Sequence, residues 1–167
     1  MNILNIQLPL NQTDRISLQT GDKVLLSGII YTARDAAHKR IVEYLQAGTK
    51  LPFNLKDAAI FYAGPTPAKP GTVCGAIGPT TSTRMDKYTP DLLKAGVKVL
   101  IGKGARSSEV KDAIHLSNAV YLVAVGGAAA LLSKCVLSCE VIAWDDLGTE
   151  AIHKLVIKNL PCYVSNL

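Results

Sequence analysis

Aromatic side chains make up only 5% of this 167-residue chain, and its lysines and arginines are dispersed rather than clustered. Both features count against a nucleic-acid partner, which is held by basic clusters with interleaved aromatics. No apolar run reaches the roughly 20 residues of a membrane-spanning helix, because the likeliest exception, Val120 to Leu132, is interrupted by Gly126 and Gly127. No membrane span is therefore expected. The opening MNILNIQLPL lacks both a basic segment and a small-residue cleavage site, so a cytoplasmic protein is expected. Four cysteines, Cys74, Cys135, Cys139 and Cys162, match neither zinc-finger nor ferredoxin spacing. This predicts no metal bound by this chain unaided, and Cys135 and Cys139 read as small core side chains. Internal repeats and low-complexity stretches are absent as well.

Hydrophobic residues amount to 49% and charged residues to 19%, the balance of a globular protein, and the length fits one domain over residues 1–167. Such a chain can bury a substantial core. The net charge of +5 suits a small anionic substrate or an acidic protein partner better than a nucleic acid, with solubility as the plain alternative.

Along the chain, Ile3 to Leu10 reads as an edge strand or docking arm because Pro9 lies near its end. Lys23 to Tyr31 reads as a strand in which Gly28 permits a bulge or a close backbone approach. Thr32 as N-cap, with Asp35 three residues on, predicts a helix from about Ala33 to Gln46. Ala58 to Tyr62 fits a buried strand, and the prolines and glycines of Gly64 to Gly71 exclude regular structure there. Thr89 as N-cap and Pro90 as first helical residue predict a helix to Ala95, and Ser107 or Ser108 caps another to about His115. Further strands are expected at Val97 to Ile101, Asn118 to Val125, Val136 to Ala143 and Ile152 to Ile157, the last followed by a short tail. Gly126-Gly127 leads into a small-residue helix from Ala128 to about Lys134. The alternation predicts an α/β or mixed α+β fold with one main sheet.

Chemistry concentrates in Gly75 to Asp86, GAIGPTTSTRMD, where Thr80, Thr81, Ser82 and Thr83 stand between a Gly-Pro pair and Arg84. Hydroxyls, turn N–H groups and a guanidinium are the donors that hold a carboxylate or phosphate in a forked geometry. An exposed Ser/Thr loop is the alternative. Arg34, in the first turn of its helix, opposes the macrodipole unless an anion lies there. A surface ion pair would also explain it, and His38, one turn further on, would then be a solvated or partner-contacting side chain. Gly102 and Gly104 flank Lys103 so that a ligand can approach the backbone, although the phosphate-loop pattern GxxxxGK[ST] is missing.

Three strings, TARDAAHKR from Thr32, GPTTSTRMD from Gly78 and IGKG from Ile101, resemble in wording and order the β subunit, or C-terminal domain, of iron–sulfur class I fumarate hydratases and L-tartrate dehydratases. The likeness extends from LPL near the start to LGTEAI at Leu147 to Ile152. It implies a swivelling β/β/α domain that forms half of a two-subunit hydro-lyase of α2β2 type. The [4Fe-4S] cluster of the complete enzyme would be bound by the α subunit and not by this chain. The implied reaction is reversible hydration of fumarate to malate, or dehydration of tartrate to oxaloacetate; a non-catalytic dicarboxylate-binding module is the reading of another class. By the same resemblance, Arg34, Thr80, Thr81, Arg84 and Lys103 bind the substrate. Arg84 is also catalytic, and Thr80 is the candidate base, provided positive charges raise the reactivity of its hydroxyl. Asp35 and His38 would orient Arg34 or contact the α subunit. Lys69 and Glu150 lie in family-like segments without an assigned role.

Overall fold

The computed structural model describes residues 3–125 and 128–165. Seven strands occur in chain order: β1 (Ile3–Gln7), β2 (Lys23–Thr32), β3 (Ala59–Phe61), β4 (Val99–Gly102), β5 (Val120–Ala124), β6 (Val136–Ala143) and β7 (Ile152–Val164). The helices are α1 (Gln12–Ser17), α2 (Asp35–Gln46), α3 (Thr89–Lys94), α4 (Ser108–Leu116) and α5 (Ala129–Leu132). The sheet runs β1-β2-β3-β4-β5-β7-β6, and β2 pairs with β7 as well, so β2, β3, β4, β5 and β7 close into a small barrel. Neighbours from β1 to β5 are parallel, whereas β7 runs antiparallel to β2, β5 and β6.

Closure follows from strands that are apolar on both faces, since successive side chains point to opposite sides of a sheet. In β3, β4 and β5, Phe61, Ile101 and Leu122 turn into the barrel with Val24, Leu26, Ile30 and Leu155. Their neighbours Ile60, Leu100 and Tyr121 turn outwards and are covered by Ala37 and Ile41 of α2, Leu92 of α3, and Val110 and Ile114 of α4. Cys135 and Cys139 pack against the barrel core.

Several local expectations yield to tertiary pairing. Thr32 is not the N-cap of α2; it ends β2, and its Oγ1 accepts from the His153 N–H at 3.1 Å. Arg34 takes the N-cap position without a side-chain cap bond. Thr89 likewise lies inside α3, where its hydroxyl donates to the Met85 carbonyl at 2.9 Å, and Tyr88 precedes the helix as N-cap. The expected tail after Ile157 is instead the second half of β7, which pairs with β2 and β5. Ser107 does cap α4, accepting from the Val110 N–H. The Gly126-Gly127 turn lies outside the described residues, and α5 is a single short turn continued by a 3-10 segment to Cys135. Among the described residues no helix is long and apolar enough to cross a membrane.

Gly28 has both properties expected of it. The β2–β7 register shifts between Leu26 and Gly28, and a Cβ at Gly28, where φ is +121°, would lie 2.9 Å from the Leu8 carbonyl oxygen. Gly28→Ala therefore combines backbone strain with a clash against the chain leaving β1, and should cost about 1–3 kcal/mol in urea denaturation. Wild-type stability in that variant would show that β1 is not seated against β2 as described.

Candidate functional site

The rim of the barrel at the C-terminal ends of β2, β3 and β4 gathers the polar residues singled out above. Beyond β2, the Ala33 N–H donates to the Phe61 carbonyl at 3.0 Å, which sets Arg34 beside the end of β3. Beyond β3, the Tyr62 N–H donates to the Ile101 carbonyl at 2.8 Å. The threonine segment then lies along this edge: the Thr80 N–H donates to the Tyr62 carbonyl at 2.6 Å, Thr81 forms a parallel bridge with Lys103, and the Ser82 N–H donates to the Lys103 carbonyl at 2.9 Å.

This extended stretch sorts the four hydroxyls. Alternation turns Ser82 inwards, fully buried, with its Oγ 2.7 Å from the Tyr121 hydroxyl, and leaves Thr81 exposed and Thr80 half-buried. Thr83 and Arg84 are exposed on a 3-10 turn, Ser82–Met85. Gly102 has a different task from the one expected. A Cβ there would stand 2.0 Å from Ser82 Oγ, so this glycine makes room for the buried serine rather than for a ligand. Lys103 next to it is exposed.

Asp35 does not orient Arg34. Its carboxylate lies at the first helical position of α2, faces the 3-10 turn and forms a forked pair with Arg84, with Nε to Oδ1 at 3.0 Å and Nη2 to Oδ2 at 2.5 Å. Arg34 instead runs past Gly64, where a Cβ would meet its Cδ at 3.1 Å and Nη1 at 3.3 Å. Its buried Nε has no partner among the described residues. Glu150 closes the same helix end, accepting from the Ala36 N–H at 3.2 Å. Lys69 is exposed in the Pro-rich segment, whose two arms are tied by the Thr66 N–H to the Ala76 carbonyl and the Gly75 N–H to the Thr66 carbonyl.

His38 is fully buried, not solvated. Its Nδ1 lies 2.8 Å from the Arg34 carbonyl, which can only accept, so Nδ1 carries the proton and Nε2 is an acceptor without a partner among the described residues. The ring packs edge-on against Tyr62 at 5.3 Å between centroids. Burial, assisted by the nearby Arg106 charge, lowers its pKa from 6.5 to about 4, so the imidazole is neutral at pH 7. His38 thus meets Arg34 through the backbone only.

Arg106, Tyr62 and Tyr121 escape sequence reasoning altogether. They form a buried polar layer beneath the threonine segment, in which Arg106 is 5% exposed and pairs with Asp86 at 2.8 Å. A lone arginine past the IGKG string carries no sequence signal of burial, because arginine is ordinarily exposed.

The thiols do not fit a metal cluster. Among the described residues no three His, Cys, Asp or Glu side chains are placed to hold a metal. Burial pushes Cys139 up to about 11 and Cys162 up to about 12, as befits thiols packed in the barrel core.

The rim of this closed α/β barrel carries Arg34, Thr80, Thr81 and Lys103, with Arg84 paired to Asp35 beside them. The chain belongs to the fumarase C-terminus family, which it matches over residues 2–166. It is 40% identical over 155 residues to a protein of Methanocaldococcus jannaschii assigned as an L(+)-tartrate dehydratase subunit beta, covering 90% of this chain and 80% of that one. It is also 39% identical over 145 residues to the anaerobic class I fumarate hydratase of Escherichia coli K12, covering 85% of this chain and 26% of the enzyme. Fumarate hydratase 2 of Leishmania major is similar at 37% over 147 residues, covering 86% of this chain and 26% of its own length. The chain thus spans about a quarter of the length of the fumarate hydratases it matches.

The neutral state of His38 makes stability depend on pH. With a folded pKa of about 4, below the unfolded value of 6.5, the unfolded chain binds the extra proton first. This contribution is fully present above pH 6.5 and is lost as pH falls towards 4, on the order of 3 kcal/mol in all. His153, also lowered by burial, adds a slope of the same sign. Denaturant unfolding of His38→Gln between pH 4 and pH 7 should show a much flatter acid limb than wild type; an unchanged limb would place the titration elsewhere.

Proposed function

We propose that this chain is the β-type partner in a two-subunit iron–sulfur hydro-lyase that interconverts malate and fumarate. Residues 1–167 act as one fumarase/tartrate dehydratase β-type domain of the swivelling β/β/α fold, paired with an α subunit in a cytoplasmic α2β2 assembly. The observation that carries the reading is the convergence of Arg34, Thr80, Thr81, Arg84 and Lys103, drawn from three separate stretches, on one rim of the barrel. Because the thiols of this chain do not suit a cluster, the [4Fe-4S] group is assigned to the α subunit.

The chemistry of this half follows from charge. Dehydrating a 2-hydroxy dicarboxylate removes a weakly acidic proton from the carbon next to a carboxylate; negative charge builds on that carboxylate, and the electron pair then forms the C=C bond as hydroxide leaves the adjacent carbon, where the cluster of the α subunit would supply Lewis acidity. Arg34, Arg84 and Lys103 orient the two carboxylates and stabilise the growing charge, with Thr81 as a hydrogen-bond donor. Thr80 is the proton acceptor. Its backbone is fixed by the short bond to Tyr62, and positive charge brought to the hydroxyl in the assembled site favours its deprotonated form.

Tartrate is the second reading, supported by the Methanocaldococcus relative, which this chain covers over four-fifths of its length. Tartrate shares both carboxylates with malate and adds one hydroxyl, so the same cations serve either substrate. Co-expression with an α-type partner, anaerobic cluster reconstitution and parallel assays on malate and tartrate decide between them. Turnover of malate is expected. A stable complex inactive on both substrates but binding dicarboxylate would make this chain a binding module instead. Arg84→Ala should lower kcat/KM by about 10²–10³-fold while leaving assembly intact, and normal turnover in that variant would remove Arg84 from the site.

A further inference from the structure

We propose that Arg106 is the positioning residue that sets the spacing of the substrate-binding segments, an inference that rests on the functional reading above. Each of its three guanidinium nitrogens makes one directed bond. Nε donates to Asp86 Oδ1 at 2.8 Å, one terminal nitrogen to the Tyr62 hydroxyl at 3.0 Å, and the other to Thr89 Oγ1 at 2.8 Å. The plane also lies near two aromatic rings, with its central carbon 5.2 Å from the Tyr62 centroid and 4.9 Å from that of Tyr121.

Each partner governs a different part of the rim. The Tyr62 carbonyl holds the Thr80 N–H, and the Tyr62 ring backs His38, whose Nδ1 holds the Arg34 carbonyl. The Tyr121 hydroxyl donates to the Gly104 carbonyl at 2.8 Å and therefore accepts from Ser82, so it grips both flanks of the Thr81–Lys103 bridge. Asp86 follows the turn that carries Arg84 and also accepts from the Ser107 N–H at 2.9 Å, while Thr89 ties back to Met85 in that turn. One buried cation is thus linked, directly or through Tyr62, Tyr121 and His38, to every segment that bears a substrate-binding side chain. Only the planar fork of arginine can do this; a lysine ammonium would retain the Asp86 pair and lose the simultaneous bonds to Tyr62 and Thr89.

The test is Arg106→Lys, with Tyr121→Phe as a second variant that leaves all charges in place. Amide hydrogen exchange on the full chain should accelerate at least about tenfold at Thr80 and Ser82 in Arg106→Lys, with the barrel amides of Leu26 and Leu155 unchanged. In the reconstituted complex kcat should fall about 10²-fold with KM nearly constant, because a displacement of about 1 Å at the rim suffices for such a loss. Tyr121→Phe should show a smaller loss, and the double variant should lose no more than Arg106→Lys alone. Unchanged exchange at Thr80 and Ser82, or acceleration in step with Leu26, would overturn the proposal, as would a wild-type kcat in an active complex. A wild-type complex inactive on malate and tartrate would defeat the functional reading, and the exchange experiment would still decide the role of Arg106.

Discussion

The antiparallel ladder between β2 and β7 closes the barrel and so fixes everything at its rim. It runs from Lys23 opposite Tyr163 to Thr32 opposite His153. At the Thr32 end it consumes the hydroxyl that would otherwise cap α2, and the helix begins only at Asp35, after Arg34 as N-cap. At the other end β7 reaches across to β5, which converts a parallel sheet into a closed one. Without that crossing, the segments carrying Arg34, Thr80 and Lys103 would share a sheet edge but no enclosed core to hold their spacing.

The parts of the fold legible in the sequence are those governed by short-range chemistry. Gly28 marks its bulge because φ of +121° suits glycine, and Ser107 caps α4 because a serine hydroxyl reaches the N–H three residues on. What escaped was decided by distant partners. The short tail expected after Ile157 is strand instead: Lys158 and Asn159 stand opposite Ser27 alone, Asn159 adopts a positive φ, and its N–H binds Ser27 Oγ. The ladder absorbs this one bulge and runs on through it. Thr89 looks like a cap and serves as a partner of Arg106, a choice visible only when residues 17 apart in sequence are brought together.

The same division holds for the site. Arg34, Thr80, Thr81, Arg84 and Lys103 stood out as residue types in recognisable strings, and the structure places them on one rim. Asp35 pairs with Arg84 and not with its sequence neighbour Arg34, because adjacency in sequence says nothing about which way a side chain at the first helical position points. Gly102 makes room for Ser82, a demand invisible in the IGKG string. The buried layer of Arg106, Tyr62 and Tyr121 had no local signature, since its members are remote in sequence and ordinary in composition.

Thr80 and Ser82 are attached to the barrel through main-chain bonds, to the Tyr62 and Lys103 carbonyls respectively. Attachment of that kind is indifferent to which side chains face outwards. Thr81, Thr83 and Lys103 can therefore be exchanged while the frame beneath them stays put, and the rim behaves as a socket with replaceable contacts. Exchange of such contacts leaves the fold intact, and fumarate hydratases and a tartrate dehydratase subunit stand together among the relatives of this chain.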